Sequence, residues 1–575
     1  MANEKIQWLN WTKDTFEIAK HQKKPILLSI TAVWCHWCHR MQSDSWENPK
    51  IVKIINERFV PIRVDTDKRP DINERYNVGG WPTTAILDAD GKLVFGGTYI
   101  PPEQLRPLLE KVAEDYTEGK IKVTESYFEK HSKIVAMPSK KVEITKGVSG
   151  EVLDAIVSRF DFEFGGFGEP KFPVPAALEM ILMEYAKDKD KRFHNIAKIW
   201  LDGMLGIMDR YEGGFFRYSV TRDWKEPHYE KMLDVNAGML NNYAEGYALL
   251  GDKKYKDVAE GIARFLLSRL ANQESGGFYG SQDADGEEKY YGKSLEERAK
   301  LPTPYIDQSI YADWNGRAVS AFLRACRILK DEKLRDFALK TLDFMMRAMF
   351  YGGKVYHYFD GNTHLDGLLS DQVHVMQALL DAYELTAKKE YLDRAQAMAE
   401  WIIDALLDKN AGGFFDRAAG KDDVGALVIR TKPFFENCAA ADALVRLFLQ
   451  TDEEKYASIA QSCLVAFADK YQQYGHMAAP YALAAKRYLQ PLHITVVGQS
   501  ESKNTKDLLD AAFSISRPKT ITFVEPVRDK ALLKAKNLPW EYKAYAQVCI
   551  GSLCKGFAQD VEKMLGFAEP PKKKD

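Results

Sequence analysis

The sequence predicts a three-part chain: an α/β unit, then a closed ring of six helical hairpins, an (α/α)6 toroid, then a small α/β piece. Three observations predict it. A Cys-x-x-Cys, Cys35-His36-Trp37-Cys38, follows the apolar β-type run Pro25 to Ile30 and opens a helical pattern. From about residue 150 to 490, amphipathic helical stretches are broken by Gly165-Gly166-Phe167, Gly213-Gly214-Phe215, Gly276-Gly277-Phe278, Gly352-Gly353 and Gly412-Gly413-Phe414, with a weaker sixth break at Tyr474-Gly475-His476. Past residue 491, β-type runs return at His493–Gly498, Thr520–Val524 and Ala546–Ile550. The boundaries so drawn are 1–120, a linker over 121–149, 150–490 and 491–575.

In the first unit, Phe16, Ile18 and Ala19 mark a short helix before the first strand. A single helix carrying Arg40, Met41, Ile51, Ile54 and Ile55 is expected after the Cys-x-x-Cys. Phe59–Asp65 reads as a second strand and Ala85–Asp88 as a third. The turn Asp90-Gly91 with Lys92–Phe95 makes a closing hairpin. In the ring, each glycine pair supplies the positive φ that a doubling-back loop needs, and the aromatic after it is expected to plug the mouth.

Composition narrows the function. With 575 residues, 46% hydrophobic and 28% charged, the chain has ample material for buried cores. A net charge of −2 gives no field to gather nucleic acid or an anionic membrane, and no apolar run is long enough to span a bilayer. Seven cysteines, an odd number in a long chain, fit a reducing compartment, so the cytoplasm is expected. The terminal Pro570-Pro571-Lys572-Lys573-Lys574 is expected to be a solvated tail.

The dithiol carries the chemistry. A helix N-terminus offers unpaired N–H groups and partial positive charge, which favour the first sulfur as the thiolate that attacks disulfides. Cys35 is therefore the expected nucleophile and Cys38 the resolving thiol. Cys-x-x-Cys-His is also a c-type haem attachment signature, but no secretory leader is visible in Met1–Trp11. Zinc would need a second Cys/His pair at finger spacing, which does not follow. No cofactor and no metal are expected.

Trp34, Cys35, Cys38 and Trp81-Pro82-Thr83 resemble the thioredoxin fold. The resemblance implies that Pro82 is cis and faces the dithiol, with Trp34, His36 and Trp81 receiving a substrate backbone. Ser29 stands where thioredoxins proper carry a buried aspartate, so His39 or a water is expected to take the resolving thiol's proton, while His36 tunes the thiolate.

Polar and aromatic groups gather beside the glycine breaks: His228, Glu230 and Lys231, then Asp283 and Asp285, then Trp314 and Asn315. Tryptophan faces beside carboxylates and amides suit a sugar, and paired carboxylates suit glycoside acid/base work. His228 with Glu230 is also readable as a structural pair, and Asp283 with Asp285 as a turn or cation site. Cys549 is expected to pack inward from its strand, with pairing to Cys554 the alternative.

Further motifs extend the resemblance along the chain: Asp65 with Arg69-Pro70-Asp71, Gly79-Gly80-Trp81-Pro82, Pro170-Lys171-Phe172-Pro173, Arg217-Tyr218-Ser219-Val220, Pro227 to Met232, Asp283-Ala284-Asp285 and Trp314-Asn315-Gly316. Together they resemble the thioredoxin-domain family that includes the spermatogenesis-associated member of animals. That resemblance implies a thioredoxin-like domain fused to a barrel similar to N-acylglucosamine 2-epimerases and six-hairpin glycosidases. The expected function is thiol–disulfide chemistry, with a disulfide-bearing protein or a thiol reductant as partner and a sugar in the barrel. The alternatives are a sugar epimerase or glycosidase-like enzyme with a regulatory redox domain, and a non-catalytic binding protein.

Overall fold

The computed structural model describes residues 5–123, 143–284, 289–540 and 543–568. Most of the expected linker, the terminal lysine tail and Asp285 lie outside the described residues.

The first unit is a sheet of order β2-β1-β3-β4, made of β1 (Ile26–Thr31), β2 (Val60–Asp65), β3 (Thr83–Leu87) and β4 (Leu93–Gly97). β1 runs parallel to β2, with Ile26 opposite Val60, and antiparallel to β3, with Ile26 opposite Leu87. The strand is apolar on both faces because both are covered: Ile26, Leu28 and Ile30 enter one core and Leu27 the other. Helices α1 (Lys13–Gln22), α2 (His36–Met41), α3 (Pro49–Arg58), α4 (Pro70–Tyr76) and α5 (Pro102–Thr117) surround it. The single helix expected after the dithiol is broken. A π-turn over Gln42–Trp46 separates α2 from α3, whose start is fixed by the Asn48 cap on the Lys50 N–H and by Pro49 in the first turn.

The ring is a double one. The inner helices are α7 (Pro175–Asp188), α9 (Leu233–Leu250), α11 (Ala312–Leu329), α13 (Leu369–Thr386), α15 (Phe434–Thr451) and α17 (Ala479–Leu489). Each packs on the next, and α17 closes on α7. Outside them stand α6 (Val148–Arg159), α8 (Lys191–Met204), α10 (Lys253–Phe265), α12 (Glu332–Ala348), α14 (Lys389–Ala405) and α16 (Glu454–Val465).

The Gly-Gly-Phe repeats are one device used several times. Asp161, Asp209, Asn272 and Asp408 each stand four residues before the first glycine, and a side-chain oxygen accepts the N–H groups two and three residues on. Both glycines have positive φ, and a Cβ on Gly213 would come within 2.3 Å of the Gly261 carbonyl on the outer helix. An amide from the first turn of the next inner helix then clamps the aromatic's backbone. Oδ1 of Asn236, Asn315 and Asn437 accepts the N–H of Phe215, Phe278 and Phe414, each at 2.7 Å, and Nδ2 donates to the same residue's carbonyl. Gln372 treats Val355 in the same way.

The aromatics do not plug the mouth as the sequence suggested. Phe278 lies between Phe322 of the inner ring and Phe337 of the outer ring, fully buried, because its clamped backbone turns the ring into the wall. Asn315→Ala strips three backbone groups of their partner (Phe278 N–H and C=O, Tyr311 C=O), so a loss of about 2–3 kcal/mol is expected in denaturant unfolding. An unchanged midpoint would show the amide to be dispensable.

The C-terminal piece repeats the topology of the first sheet: β5 (Leu492–Val497), β6 (Lys519–Val524), β7 (Tyr545–Ile550) and β8 (Leu553–Ala558) in the order β6-β5-β7-β8, with the same parallel and antiparallel pairings. Cys549 corrects the sequence reading. It lies opposite Cys554 across the β7–β8 hairpin and is disulfide-bonded to it, because register brings the two side chains together on one face of the hairpin. The remaining cysteines, Cys326, Cys438 and Cys463, are free and buried.

The two α/β pieces close opposite ends of the ring. The C-terminal piece sits where the inner helices end: Gln450 donates to the Ile521 carbonyl at 2.9 Å, and the Arg327 guanidinium lies over the Phe513 ring. Beneath it, ion pairs fill the lumen from helix to helix, Arg324 to Glu179 and Glu245, Arg446 to Asp381 and Glu384, and Arg487 to Asp442. The first unit sits about 27 Å away, where the eighteen-residue inner helices begin. No helix among the described residues is long and apolar enough to cross a membrane.

Candidate active site

β1 delivers the chain to a turn at Ala32–Trp34, and Cys35 becomes the N-cap of α2. Its Sγ accepts the Cys38 N–H at 3.2 Å, and the two sulfurs form a disulfide. The Trp81–Pro82 bond is cis, as the resemblance implied, and Trp81 meets Trp34 edge to face at 5.6 Å.

The surroundings differ from those of an open redox site. Cys35 and Cys38 are 5% and 6% exposed, and the residues that cover them come from the ring: Met232, Val235 and Trp314, at the starts of two inner helices. Arg217 lies over Trp34 at 4.3 Å and over Trp81 at 5.1 Å. The groove where Trp34, Trp81 and Pro82 were expected to receive a protein substrate is therefore filled by the protein's own barrel. Local sequence carries no sign of a contact between residues two hundred positions apart.

The seat is polar and specific. The His39 Nε2 lies 3.1 Å from both the Val33 carbonyl and the Asp283 carboxylate of the ring. The Trp34 indole donates to Asp67 at 2.6 Å, and His357 Nε2 lies 2.6 Å from the Asp67 carbonyl while its Nδ1 faces Asp371 at 2.9 Å. Arg75, with no exposed side-chain surface, reaches Asp416 at 2.8 Å and the carbonyls of Ala426 and Ile429. His36 is half-buried on the outer side, its ring 5.9 Å from that of Trp37, which is exposed.

Carboxylates crowd this interface. Burial, aided by Asp307, raises Asp65 to about 6, and burial with Asp65 beside it pushes Asp67 well above the carboxylate range. Asp313 is raised to about 6 by burial and then by Asp371. Asp313, His357 and Asp371 bring ligand-type atoms within 4.8 Å of one another. Both His357 nitrogens are already engaged, however, and burial, which would lower it, is outweighed by Asp371, which lifts it to about 9. A protonated imidazole, bonded to the Asp371 carboxylate on one side and the Asp67 carbonyl on the other, suits that geometry better than a metal.

The structure separates the barrel residues singled out from sequence. Asp283 and Trp314 reach the dithiol region. His228 pairs with Glu230 at 3.0 Å and stacks on Tyr218. Lys231 is fully buried, bound to Asp209 and the Gly213 carbonyl of its own loop, with Arg298 beside them, and Asn315 is spent on the Phe278 clamp. These last two belong to the wall and not to a substrate surface: their polar atoms are consumed by the loops that build the ring. Sequence reasoning missed Asp67 and Arg75. Their partners, His357 for Asp67 and Asp416 for Arg75, stand 290 and 341 residues further along the chain.

Comparison with known proteins agrees with this architecture. Residues 1–135 match the Thioredox_DsbH family model, "Protein of unknown function, DUF255". Spermatogenesis-associated protein 20 of Homo sapiens is 25% identical over 96% of this chain and 88% of its own length. The disulfide bond reductase DsbH of Chlamydia pneumoniae is 26% identical over 16% of this chain and 62% of its own. The cellobiose 2-epimerase of Spirochaeta thermophila shares the fold at a TM-score of 0.50 and 14% identity, over 64% of this chain and 99% of that one. The chain thus matches a Thioredox_DsbH-type domain over residues 1–135, its helical toroid shares the epimerase fold, and along 96% of its length it is similar to spermatogenesis-associated protein 20.

Proposed function

We propose that this protein is a thiol–disulfide oxidoreductase whose dithiol works at the mouth of its own barrel, in a reducing compartment such as the cytoplasm. The observation that carries the reading is the Cys35 sulfur held at the start of α2, taking an N–H bond from Cys38 with the second sulfur in bonding reach. In the reduced state that donor and the helix end favour the Cys35 thiolate. The thiolate attacks a substrate disulfide, and Cys38 then displaces the mixed disulfide. His39, next in sequence to Cys38, takes the proton that Cys38 must lose. Asp283 and the Val33 carbonyl hold the imidazole in place. The barrel thereby supplies the carboxylate that Ser29 does not.

A specific observation favours a barrel ligand as well. Asp313 Oδ1 is buried with no hydrogen-bond partner among the described residues, next to Trp314 at the lumen mouth. Such a pairing suits a hydroxylated molecule of the sugar type.

The test is a trap. Full-length Cys38→Ser, reduced and exposed to bis(2-hydroxyethyl) disulfide, should retain a stable mixed-disulfide adduct by mass spectrometry, and Cys35→Ser should retain none. An empty Cys38→Ser trap sinks the redox reading. Asp283→Asn should slow dithiol oxidation about tenfold near neutral pH, read from the full rate–pH profile. Superimposable profiles would remove Asp283 from the mechanism.

A further inference from the structure

The substrate class follows from what covers the dithiol, and this inference rests on the redox reading above. Cys35, Cys38 and Pro82 are buried, Trp34 is 3% exposed, and the cover consists of Met232, Val235, Trp314 and Arg217. The cover is held by polar bonds on several sides: the buried Arg75 to Asp416, His357 to the Asp67 carbonyl, and the more exposed Lys68 to Asp360. An extended polypeptide needs an open strip of backbone beside the cis-proline loop, and a folded protein needs the sulfur at a surface. Neither is offered.

The lumen side is built differently. Trp314, which packs against the dithiol, and Arg317 are three residues apart on α11 and so share a face, about one helical turn between them. Arg317 is exposed although it stands on an inner helix, and its group meets His374 of α13 at 2.9 Å. Among the described residues it makes no ion pair with a carboxylate. Its presence lowers His374, after burial, and draws Glu436 of α15 down against the effect of burial, which places it where three inner helices converge. Around this level, Asp313 Oδ1, Ser281 Oγ and Asp283 Oδ1 are buried without hydrogen-bond partners among the described residues. Ser281 lies opposite Met232 in the short strand pair Lys231–Met232 with Ser281–Gln282, so these groups approach the dithiol from the ring. Further down, the ion-pair layer and the C-terminal piece close the lumen.

We propose that the dithiol reacts with a low-molecular-mass disulfide lodged in the barrel mouth, whose arms carry carboxylate or hydroxyl oxygens that accept hydrogen bonds from Arg317. The Cys35 thiolate attacks one substrate sulfur, the substrate S–S bond breaks, and the first thiolate leaves and takes up a proton. Cys38 gives its proton to His39 and attacks Cys35. The Cys35–Cys38 bond forms and the second substrate thiol leaves. Two electrons pass from dithiol to substrate, and a small external dithiol restores the reduced protein.

The experiment measures oxidation of the Cys35–Cys38 pair in the reduced full-length protein by rapid alkylation. The probes are 3,3′-dithiodipropionate and insulin. The small disulfide should react at least a hundredfold faster per disulfide bond than insulin. Arg317→Gln should lower the rate with dithiodipropionate at least tenfold and Arg317→Lys should restore most of it. Insulin oxidising the pair at a comparable rate, or Arg317→Gln matching wild type, overturns the proposal while leaving the redox reading in place. If the Cys38→Ser trap is also empty and neither probe reacts, both fall together.

Discussion

Arg75→Ala should lower the unfolding free energy by about 3–5 kcal/mol and open the dithiol to bulky reagents. The side chain has no exposed surface, and its guanidinium bonds to Asp416, to the carbonyls of Ala426 and Ile429 in the ring, and to the Asp71 carbonyl in its own helix. Removing it takes the charged partner from the Asp416 carboxylate and a hydrogen bond from each of three carbonyls at the seam between domain and barrel. Tyr76 accepts the Ala426 N–H one residue later, so the same loop is loosened from both sides. The readouts are denaturant unfolding and the rate at which a large maleimide modifies reduced Cys35. If stability falls and the maleimide rate stays at the wild-type value, Arg75 supports the fold but does not hold the cover.

A second large effect concerns pH. Burial alone would lower His357, but the Asp371 carboxylate outweighs it, with Asp313 and the Asp67 carbonyl adding to the rise, so the group titrates at about 9. An unfolded histidine titrates near 6.5, so the folded state holds the proton more tightly. The stabilisation is then complete below about pH 6.5 and is lost as pH rises through 9. The melting temperature of the wild type should fall across that interval, and the dithiol should become easier to alkylate as His357 lets go of the Asp67 carbonyl. His357→Gln should be less stable at pH 6 and show a flatter profile between 6.5 and 9. Parallel profiles for the two proteins would mean that the imidazole contributes no charged interaction.

Much of the fold was legible because it rests on local rules. The strand before Cys35 could be read from its unbroken apolar run, and the hairpins from five glycine pairs and the single Gly475, since positive φ restricts the residue type wherever the chain doubles back. The broken helix after the dithiol was less legible, although Asn48-Pro49 is a start signal in its own right. The Cys549–Cys554 bond depended on hairpin register, which a strand pattern alone does not give. At the site, the sequence named the dithiol, Pro82, His39, Asp283 and Trp314. It also named Lys231 and Asn315, because a polar residue that ties a loop together is the same letter as one that awaits a ligand.

Residue types and spacing by themselves determined that this chain has a helix-capped dithiol, a ring of hairpins and a closing α/β piece. Each depends on contacts within a few tens of residues. Which way the dithiol faces was decided by tertiary structure, through Arg75 with Asp416, His357 with Asp67 and His39 with Asp283. Those bonds join residues hundreds of positions apart, and they form because a buried charge must find its partner wherever the fold places one. They turn an otherwise open redox motif inward, onto the mouth of the barrel.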